Sequence, residues 1–534
     1  MDGLMMNYPL TMDTILRHAE RVHSRREVVT RLPDRGWHRY TYADMARRAK
    51  CLSLAIAKLG VQPGERVGTL CWNHYRHLEA YFGIPAGGAV LHTLNLRLHP
   101  DELAHIINEA DDKVVIVDES LLPVWESVRD KVNVEHVITT DCPSPPDGML
   151  DYDALIEDCS VDDFEQPVLD ENQAASMCYT SGTAGKSKGV VYSHRALSLH
   201  TMAGAMTCGF AIAEQDAVLP VVPMFHVNAW GLPYIAAMCG AKLVFPGPHM
   251  DAQSLAEDID QEGVTFSAGV PTVWISLLEE LDQNPKAYDL SSVKKIVVGG
   301  SALPTSLIDN FETRHGIHLM QAWGMTEITP IGTLCYLREP YQSSSPEVQL
   351  EQRARQGSPV PFIELRAMRD ETAVPWDGQT MGELEIRGPW VAREYYNRPD
   401  AADRFSDDGW LRTGDIASID ELGVMKIEDR AKDLIKSGGE WISSVDLENK
   451  LMAHPSVAEA AVVAMPHEKW SERPLAAVVL KDGATATEEE LRDHLAPHFA
   501  KWWLPDEFRF VEEIPKTSVG KFKKSELRKQ LLDS

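Results

Sequence analysis

Cysteine is scarce in this chain. There are eight in 534 residues, at positions 51, 71, 142, 159, 178, 208, 239 and 335, and none in the last 199. No two are spaced C-x-x-C, so no zinc site is suggested, and the scatter is that of reduced thiols rather than a disulfide framework. Positive charge is also short: Lys and Arg total 52 against 80 Asp and Glu, a net −28. That balance argues against nucleic acid as the main partner and against electrostatic attachment to an anionic membrane surface. Long hydrophobic runs are missing too. The most apolar stretch, residues 217–247, is interrupted by Pro220, Pro223, His226, Pro233 and Lys242, so no integral membrane segment is expected. Residues 1–10 lack the basic-then-apolar order of a signal peptide, and a cytoplasmic location is expected. No internal repeat or low-complexity tract appears. The 44% hydrophobic and 25% charged fractions are those of an ordinary soluble globular protein, and the length favours more than one domain.

What the chain does have is concentrated in residues 179–189, Tyr-Thr-Ser-Gly-Thr-Ala-Gly-Lys-Ser-Lys-Gly. Such a loop offers backbone N–H groups, hydroxyls and ammonium charge to a polyphosphate, and glycine lets the main chain approach the phosphate oxygens. A flexible Ser/Gly linker with solubilising lysines is the plainer reading. A Walker A loop fails on spacing, because Thr180 stands where that motif requires its first glycine. Residues 174–178 before the loop suit a buried strand end, and Ser193 after it suits an N-cap for a helix over 194–206.

The periodicity predicts an α/β protein with a largely parallel sheet. Residues 41–60 read as an amphipathic helix capped by Thr41 with Asp44 and ended by Gly60. Short apolar runs at 114–117, 218–222, 265–270 and 295–298 read as buried strands. The 179–189 loop and the Gly299-Gly300-Ser301-Ala302 turn both follow strands, where ligands gather in open α/β sheets. From Gly382 the pattern Glu-Leu-Glu-Ile-Arg alternates with period two, as an antiparallel strand would. The texture changes again near Asp429, and the last hundred or so residues suffice for a small α+β domain, with helices predicted over 445–452 and 488–495.

Further constellations carry chemistry. Trp323-Gly324-Met325-Thr326-Glu327 sets a carboxylate beside a hydroxyl. Glu327 could ligate a hard cation such as Mg2+, or be a solvated loop acid. Residues 409–415 read as a turn ending in Asp415, which suits the two hydroxyls of a ribose or a simple turn cap. Residues 429–441 are dense in charge and then glycine-rich, which fits a solvated face or a hinge. Residues 515–524 form a second basic, glycine-containing loop whose lysines suit phosphoryl oxygens; the alternative is a mobile basic tail.

In this order, these segments resemble the adenylate-forming superfamily over residues 172–524. Within it, the neighbourhoods 224–230 and 436–446 are most similar to fatty-acyl-CoA synthetases and the related methylmercaptopropionate-CoA ligases. The resemblance implies an N-terminal domain, 1–430, of two α/β/α lobes with a small β-barrel, and a mobile C-terminal domain, 431–534, hinged at Lys432. It assigns Thr180, Ser181, Gly182, Thr183, Ala184, Gly185 and Lys188 to the polyphosphate loop, and Thr180 and Glu327 to Mg2+. Gly300, Ser301, Gln321, Ala322, Trp323 and Gly324 match the adenine pocket, Thr326 the α-phosphate contact, and Asp415 with Arg430 the ribose pair. Lys521 matches the adenylating lysine. Lys436, Glu440 and Trp441 belong to the opposite face of the small domain, and His226, Val227, Trp230 and Gly300 to the acyl channel. The implied substrates are ATP, coenzyme A and a carboxylic acid, first a medium- to long-chain fatty acid and second a short sulfur-containing or aromatic one. A non-catalytic nucleotide- or acyl-binding protein is disfavoured because Lys521, Glu327 and Asp415 are all present. A homodimer is a further expectation. Three positions depart from the pattern: Ala184 for threonine, Ser187 for proline, which would loosen the loop, and Trp323 for tyrosine.

Overall fold

The computed structural model describes residues 1, 3–180, 186–437, 440–516 and 522–532, with Glu440 in its backbone alone. Two large sheets organise the chain up to about residue 360. The first has seven strands in the spatial order Leu150–Asp151, His136–Thr140, Asp112–Asp118, Arg66–Leu70, Val90–Thr93, Ala174–Tyr179, Gly189–Ser193. All neighbours are parallel except the last pair, an antiparallel hairpin. The second has nine strands, of which six are parallel: His318–Gly324, Lys295–Val298, Phe266–Gly269, Ala217–Pro220, Lys242–Phe245 and Glu27–Arg31. Its edges, Trp37–Thr41 on one side and Ile331–Leu334 with Ser358–Pro359 on the other, are antiparallel.

Strand periodicity explains the layers. In Asp112–Asp118, Val114 and Ile116 face one core while Val115 and Val117 face another; in Lys295–Val298, Val297 and Ile296 divide likewise. Both faces of each central strand must therefore be covered, which requires helices on both sides. The helices Met12–Val22, Tyr42–Lys58, Tyr75–Ala86, His194–Ala205 and Leu232–Cys239 supply the core shared by the two sheets. Pro100–Ala110 and Leu122–Glu126 cover the outer face of the first sheet. Ala252–Glu262, Pro271–Gln283 and Thr305–His315 cover that of the second. The helix predicted from residue 41 forms as Tyr42–Lys58, with Thr41 and Asp44 closing a capping box, and Met45, Ala49, Leu52 and Ile56 lie in the shared core.

The barrel-like unit is a five-stranded antiparallel sheet, Thr372–Ala373, Glu364–Arg369, Gly382–Arg387, Leu411–Ile419 and Met425–Arg430. A bridge between Gly357 and Met425 ties it to the second sheet. Here one reading is corrected: Asp415 does not end a turn but lies inside Leu411–Ile419. Gly414, at φ +74°, kinks that strand, and glycine takes this conformation without the Cβ penalty, so a turn-like composition sits within a strand.

Beyond residue 434 a smaller sheet sets Ser471–Leu480 between Val457–His467 and Glu507–Phe510. Helices Ser444–Met452 and Glu488–Leu495 cover one face and Lys524–Leu532 the other. Among the described residues no helix is long and apolar enough to cross a membrane.

Candidate active site

A cavity of about 400 Å3 opens where both large sheets present strand ends to the antiparallel sheet. Thr180, Lys186, Lys188 and Glu327 line one end; Phe210, Val227, Trp230, Val270, Pro330 and Ile331 line the other. A second cavity, about 250 Å3, adjoins it and shares Gly300, Ala322, Trp323, Gly324, Arg430 and Lys432 with the first.

The charged end rests on the hairpin Ala174–Tyr179/Gly189–Ser193. Its mouth is closed at Thr180, whose N–H donates to the Lys188 carbonyl (2.9 Å) and whose Oγ1 accepts from the Lys188 N–H (3.0 Å). A loop between antiparallel strands is not the strand–loop–helix of a Walker A site, so the structure and the spacing agree in excluding it. Ser181, Gly182, Thr183, Ala184 and Gly185 lie outside the described residues. Ser187, expected to loosen the loop, is buried, and its hydroxyl donates to Glu102 at 2.5 Å. A side-chain hydrogen bond holds the position where the resemblance has a proline ring.

Glu327 is no solvated loop acid. It is buried, it accepts from the Tyr395 hydroxyl at 2.5 Å, and its own carbonyl accepts from the Ala392 N–H at 2.8 Å. Lys188 Nζ stands 5.1 Å over the Tyr395 ring, so one aromatic meets an ammonium at its face and a carboxylate at its hydroxyl. Burial and the Glu327 charge push the Tyr395 phenol well up, so it remains a donor. Thr326 precedes Glu327 on the same turn, its carbonyl held by the Tyr192 hydroxyl at 2.8 Å.

Strand His318–Gly324 carries the adenine-type segment. Gln321 is buried; its Nε2 donates to the Ser301 carbonyl at 3.1 Å, while its Oε1 has no partner among the described residues. Gly300 turns the chain there at φ +89°. Trp323 Nε1 donates to Asp415 Oδ2 at 2.9 Å. Asp415 and Arg430 face each other across strands, and Arg430 Nε pairs with Asp415 Oδ1 at 2.7 Å. Asp415 is 2% exposed, so these two donors take the place of water around its carboxylate.

At the apolar end the chain does something no local pattern announced. Val227, Asn228, Ala229, Trp230 and Gly231 all take positive φ, from +38° to +75°. The buried Asn228 amide holds this left-handed turn, donating to Ser176 Oγ (3.0 Å) and the Tyr234 hydroxyl (3.3 Å) and accepting from Cys178 Sγ (3.2 Å). His226, Val227 and Trp230 all line the cavity.

The second cavity is lined from the C-terminal side by Glu448, Asn449 and residues 522–525. Lys521 lies outside the described residues, as does the side chain of Glu440. Lys436 and Trp441 line neither cavity. Trp441 sits instead against Arg369, 4.7 Å from ring to guanidinium carbon, and the Lys436 N–H donates to Glu472. Phe210, Val270, Ile331, Tyr395 and Arg404 were missed from sequence; they come from loops, a strand end and the end of a 3-10 helix, with no motif of their own.

These features have counterparts in known proteins. A family model for AMP-binding enzymes matches residues 16–396, and one for their C-terminal domain matches residues 446–521. The chain belongs to the AMP-binding enzyme family. A long-chain-fatty-acid–CoA ligase from Thermus thermophilus is 50% identical over 530 residues, covering 98% of this chain and 96% of the relative. A 3-methylmercaptopropionyl-CoA ligase from Ruegeria lacuscaerulensis is 42% identical over 539 residues, covering 100% and 99%. Among solved structures of this family, the anthranilate CoA ligase AuaEII with anthranoyl-AMP superposes with a TM-score of 0.86 at 26% identity over 98% of both chains.

Among the described residues one other cluster of ligand-type side chains, Cys71, His74 and Asp118, is buried together. Both His74 nitrogens are occupied: Nδ1 accepts from the His77 N–H and Nε2 donates to Asp118. It is a helix cap with a carboxylate behind it, and the His74 ring has no lone pair left for a metal.

Proposed function

We propose that the protein is an ATP-dependent, AMP-forming acyl-CoA ligase whose acid is a medium- to long-chain fatty acid. The observation that carries this is a single cavity with two ammonium groups and a buried carboxylate at one end and an aliphatic and aromatic wall at the other. In the first step the acid carboxylate attacks the α-phosphorus of ATP and pyrophosphate leaves. In the second, the coenzyme A thiolate attacks the acyl carbon and AMP leaves. A carboxylate is a poor electrophile, and the adenylate remedies this by providing a leaving group.

Asp415, flanked by Trp323 and Arg430, suits the ribose hydroxyls. The unpartnered Gln321 Oε1 is an acceptor for the amino group of adenine. Lys186, Lys188 and the 181–185 loop would take the phosphates. Thr180 and Glu327 offer hard oxygen atoms on one wall and would hold Mg2+, which neutralises charge growing on the phosphoryl oxygens when bound. Lys521 would add a second cation for adenylation. We place the domain boundary after Arg430, with Lys432 as the hinge that later presents Lys436, Glu440 and Trp441 for thioester formation. A cytoplasmic location fits the cysteines, all eight of which are free. A second reading, a short sulfur-containing acid, is supported by the 42% identity over 539 residues to the 3-methylmercaptopropionyl-CoA ligase.

Pyrophosphate release across straight-chain acids from acetate to palmitate, with 3-methylmercaptopropionate and benzoate included, tests the proposal. Each buried methylene is worth about 0.8 kcal/mol, roughly fourfold, so kcat/KM should climb in steps with chain length. A maximum at 3-methylmercaptopropionate favours the second reading. No release with any acid overturns the ligase assignment.

A further inference from the structure

Arg404 ends the short 3-10 helix Pro399–Arg404 and lies on the wall of the larger cavity. The chain after it is held at once: Phe405 bridges antiparallel to Leu411, and the Ser406 N–H donates to the Trp410 carbonyl at 2.8 Å. One guanidinium nitrogen, Nη2, donates to the Thr413 carbonyl at 2.9 Å. The Nε is buried without a partner, and among the described residues no carboxylate pairs with the group. Two arginines of the adjoining five-stranded sheet are matched by carboxylates, Arg366 by Glu385 and Asp408, Arg430 by Asp415. A half-buried cation without a counter-ion is costly. On the wall of a binding cavity, it points to a ligand that brings the missing negative charge.

Its neighbours say which part of a ligand that is. The guanidinium packs on Gly414, where a Cβ would lie 3.4 Å from Nη1, so it sits beside the residue that precedes Asp415. Tyr395 ties it to the charged end of the cavity. The phenol that bonds Glu327 and carries Lys188 over its ring also feels the Arg404 charge, which opposes part of the upward push from burial and Glu327. Phe405, the next residue, meets the Tyr395 ring edge-on with centroids 5.7 Å apart. The group is thus next to both the strand bearing Asp415 and the ring shared by Lys188 and Glu327.

We propose that Arg404 binds the phosphoryl oxygens of ATP that depart as pyrophosphate. This rests on the ligase reading above. As the acid's carboxylate oxygen bonds to the α-phosphorus, the bond from that phosphorus to the bridging oxygen breaks. Its electron pair leaves with pyrophosphate, so negative charge grows beyond the α-phosphate. A planar guanidinium offers several N–H donors in a fixed fork to such oxygens, which a lysine ammonium does not. AMP and the acyl-adenylate lack these oxygens, so Arg404 contributes nothing to holding either.

The test compares Arg404→Gln and Arg404→Lys with the unaltered full-length protein. Calorimetric titration gives Kd for ATP and for AMP; ATP–pyrophosphate exchange and thioester formation from supplied acyl-adenylate give the two half-reactions. Arg404→Gln should weaken ATP about 10- to 100-fold, the scale of lost charge-assisted hydrogen bonds, and raise KM for pyrophosphate in exchange to a like extent. Its Kd for AMP and its thioester rate should stay within about twofold, because neither involves the departing oxygens. Arg404→Lys, which keeps the charge and loses the fork, should fall between; if Arg404→Gln melts early, Arg404→Lys carries the same comparison. Equal weakening of ATP and AMP, or an unchanged Kd for ATP, overturns the role of Arg404. Absence of exchange with any acid in the unaltered protein overturns the ligase reading instead, and the comparison of ATP with AMP still decides what Arg404 holds.

Discussion

Asp415 is gripped from two directions, by the Trp323 indole from the end of a parallel strand and by the Arg430 guanidinium from the neighbouring antiparallel strand. A hydrogen bond to a buried charge contributes about 1.5–3 kcal/mol. Trp323→Phe keeps the ring and removes the donor, so KM for ATP should rise roughly tenfold or more with the fold intact, as ATP–pyrophosphate exchange would read. An unchanged KM would mean that Arg430 alone holds the carboxylate. At this scale the sequence was informative about charge and poor about environment. Asp415 was legible as a ribose acceptor or a turn cap because its neighbours are Gly414 and Thr413. Glu327 was legible as a ligand or as a solvated acid; only Tyr395, distant in sequence, shows that it is buried.

At the scale of elements, the left-handed turn 227–231 is the least expected feature. Each non-glycine residue in that conformation costs on the order of 1 kcal/mol, so something must hold it. Asn228 does so from within, and Gly231 does so by absence, since a Cβ there would lie 2.7 Å from His200 Cε1. Asn228→Ala should destabilise the protein by about 2–3 kcal/mol by stranding the groups it satisfies. It should also weaken acid binding more than ATP binding, which parallel denaturation curves and KM values for the two substrates would show; equal changes would detach the turn from the acyl end. The sequence could not announce this turn, because three of its five residues, Val227, Ala229 and Trp230, have no intrinsic preference for positive φ. Elements with a period were legible: the helix at 42–58 with its capping box, the strand at 295–298, and the helix at 488–495. The strands at 364–369 and 411–419 were not recognised, because the first buries only Leu365 and Ala367 among charged neighbours and the second is interrupted by Gly414 at positive φ.

Across the whole molecule, burial fixes protonation as well as shape. Burial pushes His77 and His200 down to about 3. An unfolded histidine takes a proton below about 6.5, so between those values the unfolded chain binds more protons and acidification favours it. Each should cost about 2 kcal/mol of stability at pH 5 relative to neutrality. The apparent Tm should fall between pH 7 and pH 5, and less steeply in His200→Gln; an identical slope in that variant would assign the acid sensitivity elsewhere. The meeting of the lobes was the part least legible from sequence, since helices from residues 12 to 239 share one core that no local window reveals. That meeting leaves the two cavities with a common wall of Gly300, Ala322, Trp323, Gly324, Arg430 and Lys432. Such a partition belongs to both tenants. An occupant that shifts this wall reshapes the other chamber, and any change it makes in its neighbour's affinity is returned by the same factor.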